Sequence, residues 1–224
     1  MHKEVHVYRA RSYSVGCVAI AITLCVVAVS LPGCSYETRI VSTQPPAPAV
    51  AISLGEPLHT LAIEDVEFTR KGKPANVDVG MVQRLASDLR KSGLFRTVYD
   101  PSSSHDAPKD AVRIKLTVND ALDKQWGERL GKDFIVGSSY LVLAPIVSYQ
   151  MEYDVTMRAT VTMPDESKME FESVSKAEVR HKHLSDRFEA EEDLQRTGMN
   201  DCLNNLVTQM KSNEKFLSAL KSQE

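Results

Sequence analysis

Residues 151–163 read MEYDVTMRATVTM, and the alternation in them decides the fold. Met151, Tyr153, Val155, Met157, Ala159, Val161 and Met163 fall on one side of an extended chain, and Asp154, Thr156, Arg158 and Thr160 on the other. A period of two with an apolar and a polar side predicts a half-buried strand. PDESK, residues 164–168, supplies the turn, and Met169 and Phe171 resume the alternation in KMEFESVSKAEV. Residues 150–180 therefore read as one long β-hairpin around Pro164 and Asp165.

Upstream, VRIKLTV (112–118) alternates in the same way, with Val112, Ile114, Leu116 and Val118 on one face. LHTLAIEDVEFTR (58–70) predicts a first strand through Leu61, Ile63, Val66 and Phe68, the change of phase placing a bulge near Asp65. Between these strands a helix is expected. Asp78 stands as its N-cap, Val82, Leu85, Ala86 and Leu89 form its apolar face, and Gly93 takes the C-cap position ahead of Leu94 and Phe95. Downstream of the hairpin the period changes to helical, with Leu194, Met199, Cys202, Leu203, Leu206, Val207 and Met210 in one stripe that continues to Leu217 and Leu220. Strand, helix, strand, insert, strand, strand, helix is an α+β order: one antiparallel-rich mixed sheet with two main helices on one face. A single domain over residues 58–224 is expected.

The N-terminus is of a different kind. Lys3, Arg9 and Arg11 precede the uncharged run Val15–Leu31 in VGCVAIAITLCVVAVSLPGCSYE, which ends at Pro32-Gly33. A basic segment and an apolar run slightly short of the ~20 residues of a spanning helix predict a secretory signal, residues 1–33. Leu31-Pro32-Gly33-Cys34 resembles the lipobox of bacterial lipoproteins, with an aliphatic residue at minus three, a small one at minus one and then the cysteine. Pro32 departs from the small or β-branched residue usual at minus two. The resemblance implies cleavage between Gly33 and Cys34 and acylation of the Cys34 thiol. Two or three acyl chains give stable membrane attachment where one is marginal. Ser35, where an Asp would retain such a protein at the inner membrane, resembles the class sent to the outer membrane, facing the periplasm. Residues 34–57, rich in Pro, Ser and Ala, read as an extended spacer.

Of the 27 Lys and Arg and 30 Asp and Glu, three basic residues and one acid lie in 1–33, leaving 24 against 29. With that balance, and no basic stripe interleaved with aromatics, nucleic acid is excluded as an expected partner. Cys17 and Cys25 leave with the signal and Cys34 is acylated, so Cys202 remains as a lone thiol expected in the core.

Two stretches invite a chemical reading. The insert KDFIVGSSYLVLAPIVSYQ (132–150) is uncharged from Phe134 to Val147 and too short to span a bilayer as a helix. It reads as a buried strand or turn, as an exposed patch that touches a partner or lipid, or, least in keeping with a single qualifying hairpin, as a pore element. Its middle, Tyr140, Leu141 and Leu143, is the candidate interaction site: an exposed strand edge there would take a protein partner or a second copy. His181 and His183, two apart, would place both imidazoles on one side of a strand, with Asp186, Glu189, Glu191 and Glu192 near in sequence. That could begin the site of a periplasmic metal-dependent enzyme, but the acids read as an ordinary solvated helix start. No catalytic spacing such as G-x-S-x-G or H-E-x-x-H occurs. Neither an enzyme, a cofactor nor a metal is expected.

Lipobox, Pro-rich spacer, VQRLASDLRKSGLFRTVYD, AVRIKLTV and YLVLAPIVSYQMEYDVTMRATVTM together resemble small bacterial envelope lipoproteins with a fold similar to the N-terminal domain of TolB, among them transport-auxiliary lipoproteins and the curli-secretion group. The helix ending in SGLF, residues 92–95, carries most of the likeness. The resemblance implies a non-enzymatic accessory component attached to the membrane by its N-terminal acyl chains.

Overall fold

The computed structural model describes residues 36–43, 59–76, 79–139, 142–144, 146–182 and 186–221. The signal segment, Gly33, Cys34, Asp78, Tyr140, Leu141 and His183 lie outside them. The described chain forms strands β1 (Tyr36–Thr43), β2 (Thr60–Arg70), β3 (Lys73–Pro74), β4 (Thr97–Tyr99), β5 (Val112–Asp123), β6 (Ser148–Thr162) and β7 (Lys168–Lys182). Its helices are α1 (Val79–Lys91), α2 (Trp126–Ser138), α3 (Arg187–Ser212) and α4 (Glu214–Lys221). The strands join in one mixed sheet, in the order β1-β7-β6-β5-β2-β3 with β4 against β2, so the fold is the α+β architecture the sequence implies.

The central hairpin is as its alternation predicts. Every odd residue from Tyr149 to Met163 is buried on β6, and the turn closes with Met163 N–H donating to Ser167 O (2.9 Å) and Glu166 N–H to Met163 O (2.9 Å). Outward-facing pairs cross between the strands, Arg158 with Glu172 (3.2 Å) and Lys176 with Glu152 (2.6 Å). On β7 the buried side of the chain is Phe171, Ser173, Ser175, Ala177, Val179 and His181, so the apolar alternation is interrupted at the two serines while the geometry continues. β5 runs antiparallel to β6 and parallel to β2, with Leu61 opposite Val112. The β2–β5 register shifts between Ile63 and Asp65, the bulge that lets Leu61, Ile63, Val66 and Phe68 all face inward.

β2 turns into β3 through Lys71 (φ 51°) and Gly72 (φ 72°), two successive left-handed residues, as a tight hairpin requires. Asn119 fixes this turn, its Oδ1 accepting from Gly72 N–H (3.3 Å) and Thr69 Oγ1 (2.9 Å).

α1 and α3 are the two expected helices. α1 ends at Lys91, with Gly93 left-handed (φ 73°) beyond it and Leu94 and Phe95 buried. The two helices meet over the sheet's apolar face, where Met81 and Leu85 of α1, Met199 and Leu203 of α3, and Leu116 and Met157 of the strands line one shallow recess. The C-terminal stripe is broken at Asn213, whose Oδ1 accepts from Phe216 N–H (3.0 Å) and so caps α4. Phe216 then stands edge-on to Phe171 (5.5 Å) and Phe95 (6.5 Å).

Two elements depart from expectation. Residues 36–43, read as spacer, form β1, in which Arg39 pairs with Glu178 of β7. The insert, for which a strand or turn was expected, begins as helix α2 and continues in turns, with Leu143 O accepting from Ile146 N–H (3.0 Å) and Val147 N–H (3.1 Å). The chain gathers into two compact units: described residues 36–37 with Gln125–Gln150 and Arg180–Ala190 form the first, and Thr38–Lys124, Met151–Val179 and Glu191–Glu224 the second.

Candidate functional site

In the first unit, α2 is held by its polar side. Arg129, Lys132, Asp133 and Val136, spaced i, i+3, i+4 and i+7, share one helical face. Tyr149 is their partner. Its hydroxyl donates to Asp133 Oδ1 (2.7 Å), the Arg129 guanidinium and Lys132 ammonium stand 5.8 and 5.9 Å from its ring centroid, and Lys132 Nζ donates to Ser148 O (2.7 Å). The Tyr149 ring also stacks on His181, centroids 5.4 Å apart. Burial, reinforced by the Asp133 carboxylate, pushes the Tyr149 phenol up to about 12. This tyrosine is a neutral hydrogen-bond donor at any physiological pH.

The opposite face of α2 is apolar and meets water: Leu130 is 67 % exposed and Phe134 76 %. Ordinary amphipathic helices are oriented the other way round. Eight large apolar side chains stand exposed among the described residues, and six of them, Leu130, Phe134, Ile135, Val142, Ile146 and Phe188, belong to this unit of fewer than fifty described residues. Of these, Leu130 and Phe134, one turn apart, share a helical face, and the concentration in one unit exceeds the scatter of single exposed apolar residues that needs no explanation.

Of the residues anticipated as an interaction site, only Leu143 is described. Leu143 is half-buried in a turn, its N–H reaching Ser139 Oγ (3.3 Å), so it does not offer a strand edge; Tyr140 and Leu141 lie outside the described residues. His181 is buried at the end of β7 against Tyr149, with Nδ1 near Lys182 O (3.2 Å). Among the described residues no three His, Cys, Asp or Glu side chains converge as a metal site would require. Nor is any described helix long and apolar enough to cross a membrane.

The second unit contains a buried charged cluster that the sequence did not disclose. Asp120 on β5 is 1 % exposed, and Arg70 at the end of β2 grips it twice, Nε to Oδ1 and Nη2 to Oδ2, both 3.0 Å. Tyr153 of β6 donates its hydroxyl to Oδ2 (3.1 Å), and Lys71 N–H donates to Asp120 O (2.7 Å). The paired carboxylate raises the Arg70 guanidinium above its ordinary range, and burial first, then Asp120, raises the Tyr153 phenol. The Asp120 carboxylate is held by Arg70 on both oxygens and by Tyr153 on one, so the cluster acts as a structural clamp.

Cys202 lies in the core, as its place in the stripe predicts, its thiol directed at Ser173 O (3.2 Å). Burial pushes this thiol up to about 11. Thiol reagents are expected to leave it untouched in the native protein at neutral pH and to react fully once urea has unfolded the chain. Its sign in stability follows: between about 9 and 11 the unfolded chain sheds the proton and the folded chain keeps it, so stability falls as pH rises through that window. Native labelling at the rate of a free thiol would contradict the packing of α3.

No family model matches the chain, and no curated protein matches it. Among solved structures it is similar to the rare lipoprotein B from Shewanella oneidensis, at 8 % identity and a TM-score of 0.34, over 71 % of this chain and 99 % of that one. It is also similar to PelC from Paraburkholderia phytofirmans, a dodecamer, at 14 % identity and a TM-score of 0.28, over 83 % of this chain and 98 % of that one.

Proposed function

We propose that the protein is a lipid-anchored envelope component, held at the periplasmic face of the outer membrane by acylated Cys34, that works by surface contact and not by catalysis. The outward apolar face of α2, kept in place by a half-buried polar face, is the observation that supports it. A catalytic cleft needs convergent polar groups in a concave site; here the convergent polar groups are consumed in holding the helix, and the surface presented is hydrocarbon. A protein partner, or a second copy of the chain, belongs to this reading, and photo-crosslinking in cells followed by mass spectrometry identifies which.

The anchor is tested by metabolic labelling with a fatty acid. The wild-type protein is expected to carry label and Cys34→Ala to carry none. A wild type without label overturns the anchor, whatever the domain itself does.

A further inference from the structure

We infer that the apolar surface of the first unit, carried by Leu130, Phe134, Val142 and Ile146, rests in the interface of the same bilayer that holds the acyl chains of Cys34. The inference deepens the proposed function and depends on its anchor. It starts from the position of β1. A spacer running from residue 34 to residue 57 would let a domain stand several tens of ångströms from the membrane at ~3.1 Å per residue. β1 removes that freedom, because Tyr36 already belongs to the sheet and its first two residues cluster with the first unit. Cys34 is two residues upstream, so its Cα is within ~7 Å of the Tyr36 Cα whatever path the chain takes.

The unit tied so closely to the anchor is also the one with the exposed hydrocarbon. α2 has 13 residues, so it is about 20 Å long. That is too short to cross a bilayer and suited to lying along its surface, where an amphipathic helix buries its apolar face ~5–10 Å deep. Arg129, Lys132 and Asp133 on the opposite face remain engaged with Tyr149 and Ser148, and Glu128 on the flank pairs with Lys132 (2.5 Å), so these charged groups keep their partners when Leu130 and Phe134 enter the interface. Once the acyl chains are inserted, contact by Leu130 and Phe134 is an intramolecular event at high effective concentration, and side chains too few to bind a membrane alone suffice.

The test uses the full acylated chain reconstituted in vesicles of phosphatidylethanolamine and phosphatidylglycerol. Trp126, the chain's single tryptophan, is replaced by Phe. Phe134→Trp then supplies a reporter on the outward face, and Ile146→Trp supplies a second in a separate protein, so that a folding defect in one leaves the other to decide. Circular dichroism confirms each fold, and intact mass confirms the lipid on Cys34. Vesicles with brominated acyl chains are expected to quench both reporters at least about twofold relative to unbrominated lipid, as befits side chains in the interface. An acylated, vesicle-bound chain whose reporters are neither blue-shifted nor quenched overturns the inference and leaves the anchor intact. Reporters blue-shifted but indifferent to bromine, on a chain that sediments as an oligomer, give the surface to a second copy and overturn it too. A chain with no lipid on Cys34 removes the anchor and this inference together.

Discussion

Arg70→Ala is expected to lower the unfolding free energy by about 2–3 kcal/mol, and Tm by roughly 5–10 °C for a chain of this size. Asp120 is 1 % exposed, and the substitution removes the cation that grips both of its oxygens while leaving the carboxylate in place. Breaking a buried ion pair from one side typically costs ~3–5 kcal/mol, because the remaining charge is neither solvated nor paired. The lower figure applies here because the Arg70 side chain is 53 % exposed and the pair is already partly hydrated. Tyr153→Phe removes one neutral donor from the same oxygen and should cost only about 1 kcal/mol. Urea unfolding of the two variants, measured side by side, distinguishes a clamp from a surface pair: equal and small effects would show that Arg70 contributes as an exposed charge only.

Gly198→Leu should destabilise by about 3 kcal/mol or more, although it replaces the poorest helix former after proline with one of the best. Gly198 lies in the middle of α3 over the Tyr153 ring, and a Cβ there would be 2.7 Å from Cδ1 and 3.4 Å from the Ala177 Cβ. The ring cannot swing aside, since its hydroxyl is fixed on Asp120 and its other atoms are buried. Even Gly198→Ala, which gains ~1 kcal/mol in helix propensity, should come out destabilised by about 1 kcal/mol net. Tyr153→Leu, by removing the ring, should make Gly198→Ala favourable. Additive effects in the double variant would mean that helix and ring do not touch.

Much of the fold was legible because it rests on period-two burial. The β6 alternation, the phase change at Asp65 and the stripe of α3 each record a face turned to the core, and each reads correctly from side-chain order alone. β7 was legible as the return arm of the hairpin to about residue 180, although its alternation weakens after Phe171, where the buried positions Ser173, Ser175 and Ala177 are small residues that let α3 approach closely and carry little hydrophobic signal. β1 was hidden because an edge strand is specified by its distant partner, and its neighbours in sequence are prolines. The Arg70–Asp120 clamp needs the parallel β2–β5 register, which no local pattern encodes. α2 was missed for the opposite reason: its hydrophobic residues do mark one face, but that face looks outward, and an argument that places apolar residues inside finds no helix to match. The spacing of Arg129, Lys132, Asp133 and Val136 was the available signal, a polar face with a single apolar member.

β1 also orders the events of folding. Arg39 and Glu178, which meet across its pairing, are 139 residues apart in the chain, and closing a loop of that length in a flexible chain costs about 4 kcal/mol of entropy. An eight-residue edge strand cannot recover that from its own ladder, so it joins only when β5, β6 and β7 already form a surface to receive it. The β6–β7 hairpin, closed by a five-residue turn, has no such debt and nucleates early. Folding is therefore expected to run from the C-terminal half toward the N-terminus, with the strand that follows Cys34 the last to be captured and the first to be released.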